Sequence, residues 1–264
     1  MIRTITEGSA ACLQTAVARL DVSRSPREVT VVSTIHIGLP SYFDELNDVI
    51  DNHNGVILYE GIGSLTDEEI ASLTPEERRI YERVAPLHEL YERFAGPLGL
   101  VFQGKALHYD RDHWINADVP LRRLLTLWAD QRLPPLPFDK LPEELFATES
   151  SKRIAALMLL QEPLILSAFN SLRTFVPALR RFNDVLIEER NRAAIAAFDA
   201  VPTDQDALII YGAGHVSGLM DALRDRWYWR KSETWYTAFR GEPIMANPFG
   251  HLKDMFSGLF GGRD

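Results

Sequence analysis

Three polar side chains follow three apolar runs in this sequence. His36 closes "VTVVSTIH", Glu60 closes "GVILYE" and His215 closes "ALIIYGAGH". Small residues stand beside them, at Ser33, Gly212 and Gly214, and such residues let a backbone approach a ligand closely. Two imidazoles and a carboxylate with open positions form the ligand set of a hydrolytic metal site. Without a metal, the same groups could serve as an acid/base pair. Both alternatives predict hydrolysis.

The apolar runs predict the strands that would position these residues. Residues 29–35 and 56–59 are short and rich in β-branched side chains, and a helical pattern lies between them at 42–50. Strand, helix and strand in about thirty residues predict a βαβ unit with parallel, buried strands. A further strand and helix follow at 207–224. The carboxyl ends of parallel strands share one edge of a sheet, so His36, Glu60 and His215 should converge there.

The sequence predicts a single α/β domain over 1–264, with a mostly parallel central sheet flanked by helices. A mainly helical insertion is expected at about 64–185, because Thr66/Glu69 and Thr74/Glu77 have the spacing of capping boxes. Residues 9–20 have helical spacing, which makes Cys12 a buried helix residue. Strands are expected at 99–109, and the aromatic segment 227–240 suggests an antiparallel pair.

A late helical segment, "FNDVLIEERNRAAIAAF", contains Arg190 and Asn191 among other charged residues. An exposed charged face is the usual fate of such a run. If Arg190 instead points inward, it could hold a substrate carboxylate or stabilise an oxyanion. The apolar periodicity of the helix leaves both orientations open.

Composition excludes several classes of protein. The net charge is −9 and there is no basic patch, so nucleic-acid binding is not expected. The single cysteine excludes a disulfide scaffold within the chain. No run reaches the roughly 18 apolar residues of a membrane span, and no signal peptide is recognisable, which predicts a cytoplasmic protein. Residues 249–264 form an amphipathic tail that could pack on its own domain, touch a membrane surface or mediate homo-oligomerisation.

The ordered combination of these motifs resembles the TraB/PrgY/GumN family, which includes the TIKI proteases. Its second Gly-x-x-His motif is intact at Gly212–His215, whereas the first has Ser33 in the glycine position. The pair Arg190–Asn191 is similar to the family's arginine–asparagine pair on a late helix. A central Gln…Tyr…Ala-Asp block maps to Gln103, Tyr109 and Asp118.

The resemblance implies divalent-metal-dependent proteolysis with manganese or cobalt, and zinc is a further candidate for the ion. His36, Glu60 and His215 would bind or flank the ion, or Glu60 would be the general base. The positions Asn191, Gln103, Asp118 and Tyr109 would then support the site or contact a peptide or small-molecule substrate. The related erythromycin esterases suggest a metal-free course with a His/Glu base. ChaN-like relatives suggest a non-catalytic protein that binds haem, another small ligand or a peptide.

Overall fold

The computed structural model describes residues 1–22, 27–109, 114–133 and 177–241. The strands are β1 Ile2–Glu7, β2 Ala10–Asp21, β3 Glu28–Thr34, β4 Ile37–Gly38, β5 Val56–Tyr59, β6 Val101–Phe102, β7 Trp114–Asn116, β8 Ala207–Gly212 and β9 Trp229–Gly241. The helices are α1 Pro40–Asp51, α2 Asp67–Ala71, α3 Pro75–Val84, α4 Leu87–Ala95, α5 Gln103–Ala106, α6 Leu121–Asp130, α7 Pro177–Asn183, α8 Glu189–Ala200 and α9 Val216–Arg224. A π-helical segment, Asp184–Glu188, joins α7 to α8.

The fold is α/β, with a mostly parallel central sheet flanked by helices, as the sequence predicts. Strands β3, β8, β5 and β7 lie side by side in this order and run parallel. Strand β2 is antiparallel to its three neighbours, β1, β3 and β9. The other six strands of this seven-stranded sheet therefore run in the same direction. Strands β3 and β8 are buried on both faces, as is usual for strands inside a parallel sheet.

The predicted βαβ unit is present, but its two strands are not neighbours. Strand β8 lies between β3 and β5, so a strand from late in the chain occupies the centre of the parallel half. Helix α1 packs its apolar face on one side of the sheet. Helices α8 and α9 cover the other side. The ends of β3, β8 and β5 therefore form one continuous edge.

The helix predicted at 9–20 is wrong, because this segment is β2. Nearly every side chain of β2 is buried, Cys12 included. One edge of β2 pairs with β1 and β3, and the other pairs with β9. A strand buried on both faces shows no alternation of polar and apolar residues, so its small apolar residues imitate a helical pattern. The antiparallel pair predicted at 227–240 is likewise a single strand, β9, paired with β2.

In the insertion, both predicted capping boxes are confirmed, at the starts of α2 and α3. The prediction of strands at 99–109 is wrong beyond Phe102, since β6 has two residues and the single turn of α5 follows it. Residues 134–176 and the tail 249–264 lie outside the described part of the chain, so their predicted helices and partners stay predictions. No helix within the described residues is long and apolar enough to cross a membrane.

Candidate functional site

His36, Glu60 and His215 lie at the edge formed by the ends of β3, β5 and β8. The backbone N–H of Glu60 donates to the carbonyl of Ile210 at 2.9 Å, so the pairing of β5 with β8 continues to Glu60 itself. Glu60 Oε1 is 3.7 Å from His215 Nε2. His36 is close enough for its charge to influence the pKa of both Glu60 and His215. The structure thus brings together the three residues on which the sequence argument rests.

Arg190 is the centre of this cluster. It donates from Nε to Asp118 Oδ1 at 2.9 Å and from Nη2 to Asp118 Oδ2 at 2.6 Å, which is a bidentate ion pair. Its Nη2 also donates to Glu60 Oε1 at 2.5 Å, and its Nη1 lies 3.3 Å from His215 Nε2. The side chains are 9% exposed for Arg190, 0% for Asp118 and 13% for Glu60. One buried guanidinium therefore connects two carboxylates and an imidazole.

The π-helical segment Asp184–Glu188 directly precedes the turn that carries Arg190 and Asn191. A π segment adds a residue to a helical turn and shifts the faces of everything after it, and such segments are frequent at functional sites. Both Arg190 and Asn191 are buried, together with the apolar residues Ala194 and Phe198 on α8. The inward orientation of Arg190, left open by the sequence, is the one observed.

Gly212, the last residue of β8, anchors the other oxygen of Glu60. Its backbone N–H donates to Glu60 Oε2 at 2.5 Å. A methyl group in place of its hydrogen would lie 3.0 Å from this same oxygen, so any larger side chain would displace the carboxylate. Gly214 lies in the turn between β8 and α9.

The charges of the cluster are set by burial and by one another. Burial alone would raise the pKa of Glu60, but Arg190, His215, His36 and the N–H of Gly212 together lower it to about 2. Burial lowers the pKa of His215 to about 4, against the opposing effect of Glu60. Near neutral pH, Glu60 is therefore ionised and His215 is uncharged.

Contacts with Asn191 and Tyr211 also hold the side chain of His215 in place. Its Nδ1 lies 2.9 Å from Asn191 Oδ1, and Asn191 Nδ2 donates to the His215 carbonyl at 3.3 Å. The Tyr211 ring packs edge-on against the imidazole at 5.3 Å between centroids. The Tyr211 hydroxyl donates to the carbonyl of Ala117, next to Asp118. The imidazole of His215 is thus fixed on three sides.

His36 stands in a different environment from His215. It is half-buried, and its ring packs against Tyr91 at 4.7 Å between centroids. Its carbonyl accepts the backbone N–H of Gln103 at 2.8 Å, while Gln103 Nε2 donates to the Tyr109 hydroxyl at 2.7 Å. Tyr109 is near enough to Glu60 for the carboxylate to contribute to the raised pKa of its phenol, after the larger effect of burial. Gln103 and Tyr109 thus border the cluster next to His36.

Ser33 does not face the cluster. Its hydroxyl accepts a hydrogen bond from the Met1 amino group and donates one to the Met1 carbonyl, at 3.0 and 2.9 Å. Two further features of the site were not predicted from the sequence. One is the bidentate hold of Asp118 on Arg190. The other is Gly218 on α9, where a methyl group would lie 2.5 Å from Asn191 Nδ2. A glycine inside a helical pattern was the available signal for this close packing.

The fit of the predicted metal site depends on which lone pairs are available. Both oxygens of Glu60 accept N–H groups, and His215 Nε2 faces the Arg190 guanidinium. A neutral imidazole has one lone pair at Nε2, so a dication bound by His215 Nε2 would have to displace Arg190 Nη1 from it. Within the described residues, no group of three or more His, Cys, Asp and Glu side chains is arranged to hold a metal ion. This arrangement does not fit a three-ligand metal site.

Comparisons with protein-family models, with curated proteins and with solved structures find no match for this chain.

Proposed function

We propose that this protein hydrolyses an uncharged ester or amide bond, with His36 as the general base and Arg190 as the donor to the oxyanion. The observation that carries this proposal is the buried Arg190, fixed between Asp118, Glu60 and His215 at the carboxyl ends of parallel strands. A cation fixed in advance, away from bulk water, stabilises developing negative charge without a cost of reorganisation.

The contacts of Arg190 support an oxyanion role better than the binding of a substrate carboxylate. A guanidinium has five N–H groups, and four of them face Asp118, Glu60 and His215. One Nη1–H has no partner among the described residues. With His215 neutral, two carboxylates and one guanidinium leave the cluster with a net charge of −1, which disfavours an anionic ligand. A neutral carbonyl that becomes negative only in the transition state suits a single remaining donor.

His36 is the group best suited to take a proton from water. Glu60, with a pKa of about 2, is too weak a base near neutral pH. The ring nitrogens of His215 face Asn191 and Arg190. The ring of His36 has no hydrogen-bond partner in the part of the chain that the structure describes. In the proposed reaction His36 accepts a proton from water while the water oxygen adds to the carbonyl carbon. The bond from this carbon to the leaving oxygen or nitrogen then breaks, and His36 gives the proton to the leaving group.

The metal-dependent course implied by the family resemblance stays a prediction. The contacts of Glu60 and His215 favour the course without a metal, because that course leaves every contact of Arg190 in place. The two courses differ in their response to a chelator, and one assay can therefore distinguish them.

The test is a screen of p-nitrophenyl esters and fluorogenic peptides, after dialysis against a chelator and then with added manganese, cobalt or zinc. We expect turnover that survives the chelator and that falls at least about 10²-fold in His36→Ala and in Arg190→Met. The exposed His108 supplies the control, His108→Ala, which should keep full activity. Turnover only with added metal would overturn the metal-free proposal, and no turnover on any substrate would favour the binding-protein alternative.

A further inference from the structure

The orientation of the Asn191 amide can be assigned from its neighbours. One end of this amide faces the backbone carbonyl of His215 at 3.3 Å, and a carbonyl can only accept. The NH₂ group of Asn191 must therefore be at that end, and its oxygen at the other, 2.9 Å from His215 Nδ1. A short contact between this oxygen and Nδ1 is a hydrogen bond only if Nδ1 carries the proton.

The opposite ring nitrogen agrees with this assignment. With the proton on Nδ1, the Nε2 of neutral His215 carries a lone pair, and its nearest polar neighbour is the donor Nη1 of Arg190 at 3.3 Å. The other tautomer would direct an Nε2–H at this guanidinium, placing two donors against each other. Within the described part of the chain, the acceptor facing an Nε2–H would be Glu60 Oε1, at 3.7 Å. The two tautomers thus give Nε2 different partners, and the hydrogen bond at Nδ1 selects between them.

Gly218 makes this hydrogen bond possible. A methyl group at position 218 would lie 2.5 Å from Asn191 Nδ2. Gly218 belongs to the first turn of α9, which begins directly after His215. The absence of a side chain there lets α9 approach α8 closely enough for Asn191 to reach both the ring and the carbonyl of His215.

We propose that Asn191, given room by Gly218, holds His215 in the Nδ1–H tautomer, so that Nε2 faces the candidate site as a hydrogen-bond acceptor. Asn191 and Gly218 are positioning residues in this proposal. By accepting one N–H of Arg190 Nη1, His215 leaves the second one as the single donor for a substrate. The catalytic consequence rests on the proposed hydrolase function, whereas the tautomer itself can be measured without any substrate.

The experiment is long-range ¹H–¹⁵N correlation NMR of the full chain with ¹⁵N-labelled histidine near pH 7, where the two tautomers give distinct nitrogen shifts. Comparison with His215→Gln assigns the His215 signals among those of the seven histidines. We expect the wild type to show the Nδ1–H tautomer. We expect Asn191→Leu to change to Nε2–H, and Gly218→Ala to shift toward it. Asn191→Asp keeps an acceptor at Nδ1 and should keep the Nδ1–H tautomer. Gly63→Ala, at a glycine with open space around it, is the control and should leave the His215 signals unchanged.

An Nε2–H tautomer in the wild type would overturn the proposal, and this measurement requires no variant to fold. An unchanged tautomer in a folded Asn191→Leu would overturn it equally. If a substrate is found, Asn191→Leu and Gly218→Ala should lower kcat by roughly 10²-fold with little change in KM, because an Nε2–H on His215 would face Arg190 Nη1 and displace the oxyanion donor. A correct tautomer in a protein without turnover would refute the hydrolase function and leave the role of Asn191 standing.

Discussion

At the scale of single residues, the site depends on how the buried charge of Arg190 is compensated. Asp118 is fully buried and gives both of its oxygens to this one guanidinium. Burial removes the hydration of a charged group, and only close, well-aligned partners of opposite charge compensate for this loss of free energy. Asp118 is thus the main partner of Arg190 and sets the orientation from which Arg190 reaches Glu60 and His215.

Substitution of Asp118 by asparagine tests this dependence. Asparagine has nearly the same shape but turns an NH₂ group toward the guanidinium, so a donor meets a donor. We expect Asp118→Asn to lower the free energy of unfolding by about 3–5 kcal/mol, as measured by urea denaturation. Asp221→Asn, which breaks the exposed pair with Arg224, is the matched control and should cost less than about 1 kcal/mol. Equal effects of the two substitutions would mean that Asp118 contributes no more than a surface ion pair.

At the scale of secondary structure, the sequence predicts the strand ends better than the helix faces. The runs ending before His36, Glu60 and His215 are short and apolar, and parallel strands bring their carboxyl ends to one edge. Which face of α8 carries Arg190 could not be predicted, because the π-helical segment before it shifts the register of the helix. The position of β8 between β3 and β5 also depends on tertiary contacts that no local pattern contains.

Strand β2, which the sequence pattern predicts as a helix, also depends on tertiary contacts that no local pattern contains. Its residues Leu13, Ala16, Val17 and Leu20 have helical spacing, yet each is buried in the sheet. Pairing along both edges determines the structure of this segment, and these partners lie far from it in the sequence. Local propensity is overridden where a strand is enclosed on all sides.

A prediction at this scale concerns the end of β8. Alanine at position 212 would place a methyl group 3.0 Å from Glu60 Oε2 and push the carboxylate away from the backbone N–H of residue 212. We expect Gly212→Ala to lower the free energy of unfolding by about 1.5–3 kcal/mol, the range for a lost hydrogen bond to a charged group. The control, Gly63→Ala, should leave the stability unchanged or raise it by up to about 1 kcal/mol. If the two variants unfold at the same urea concentration, Glu60 does not depend on this anchor.

At the scale of the whole molecule, the protonation states of the buried cluster make stability depend on pH. His215 has a pKa of about 4 in the folded protein, below the ordinary value of about 6.5 in an unfolded chain. Between these values the unfolded chain binds a proton that the folded protein does not. The free energy of unfolding must therefore fall as the pH falls through this window, by about 1.4 kcal/mol per pH unit for one proton.

Glu60 extends the same trend to lower pH. Its folded pKa of about 2 lies below the ordinary value of 4.5, so the stability that it contributes is present above pH 4.5 and is lost as the pH falls toward 2. Both groups act in the same direction. The folded protein should be most stable near neutral pH and should lose stability progressively with acid.

Urea denaturation of the wild type and of His215→Gln at pH 7, 6, 5, 4 and 3 separates the two contributions. We expect the wild type to lose about 3 kcal/mol more than the variant between pH 6.5 and pH 4, because glutamine binds no proton in either state. At pH 3, below the folded pKa of His215, the further loss of stability should be similar in the two proteins, since Glu60 is present in both. If the free energies of unfolding of the two proteins change equally from pH 7 to pH 4, His215 has the same pKa in the folded and unfolded chains. That result is incompatible with a buried, neutral imidazole beside Arg190.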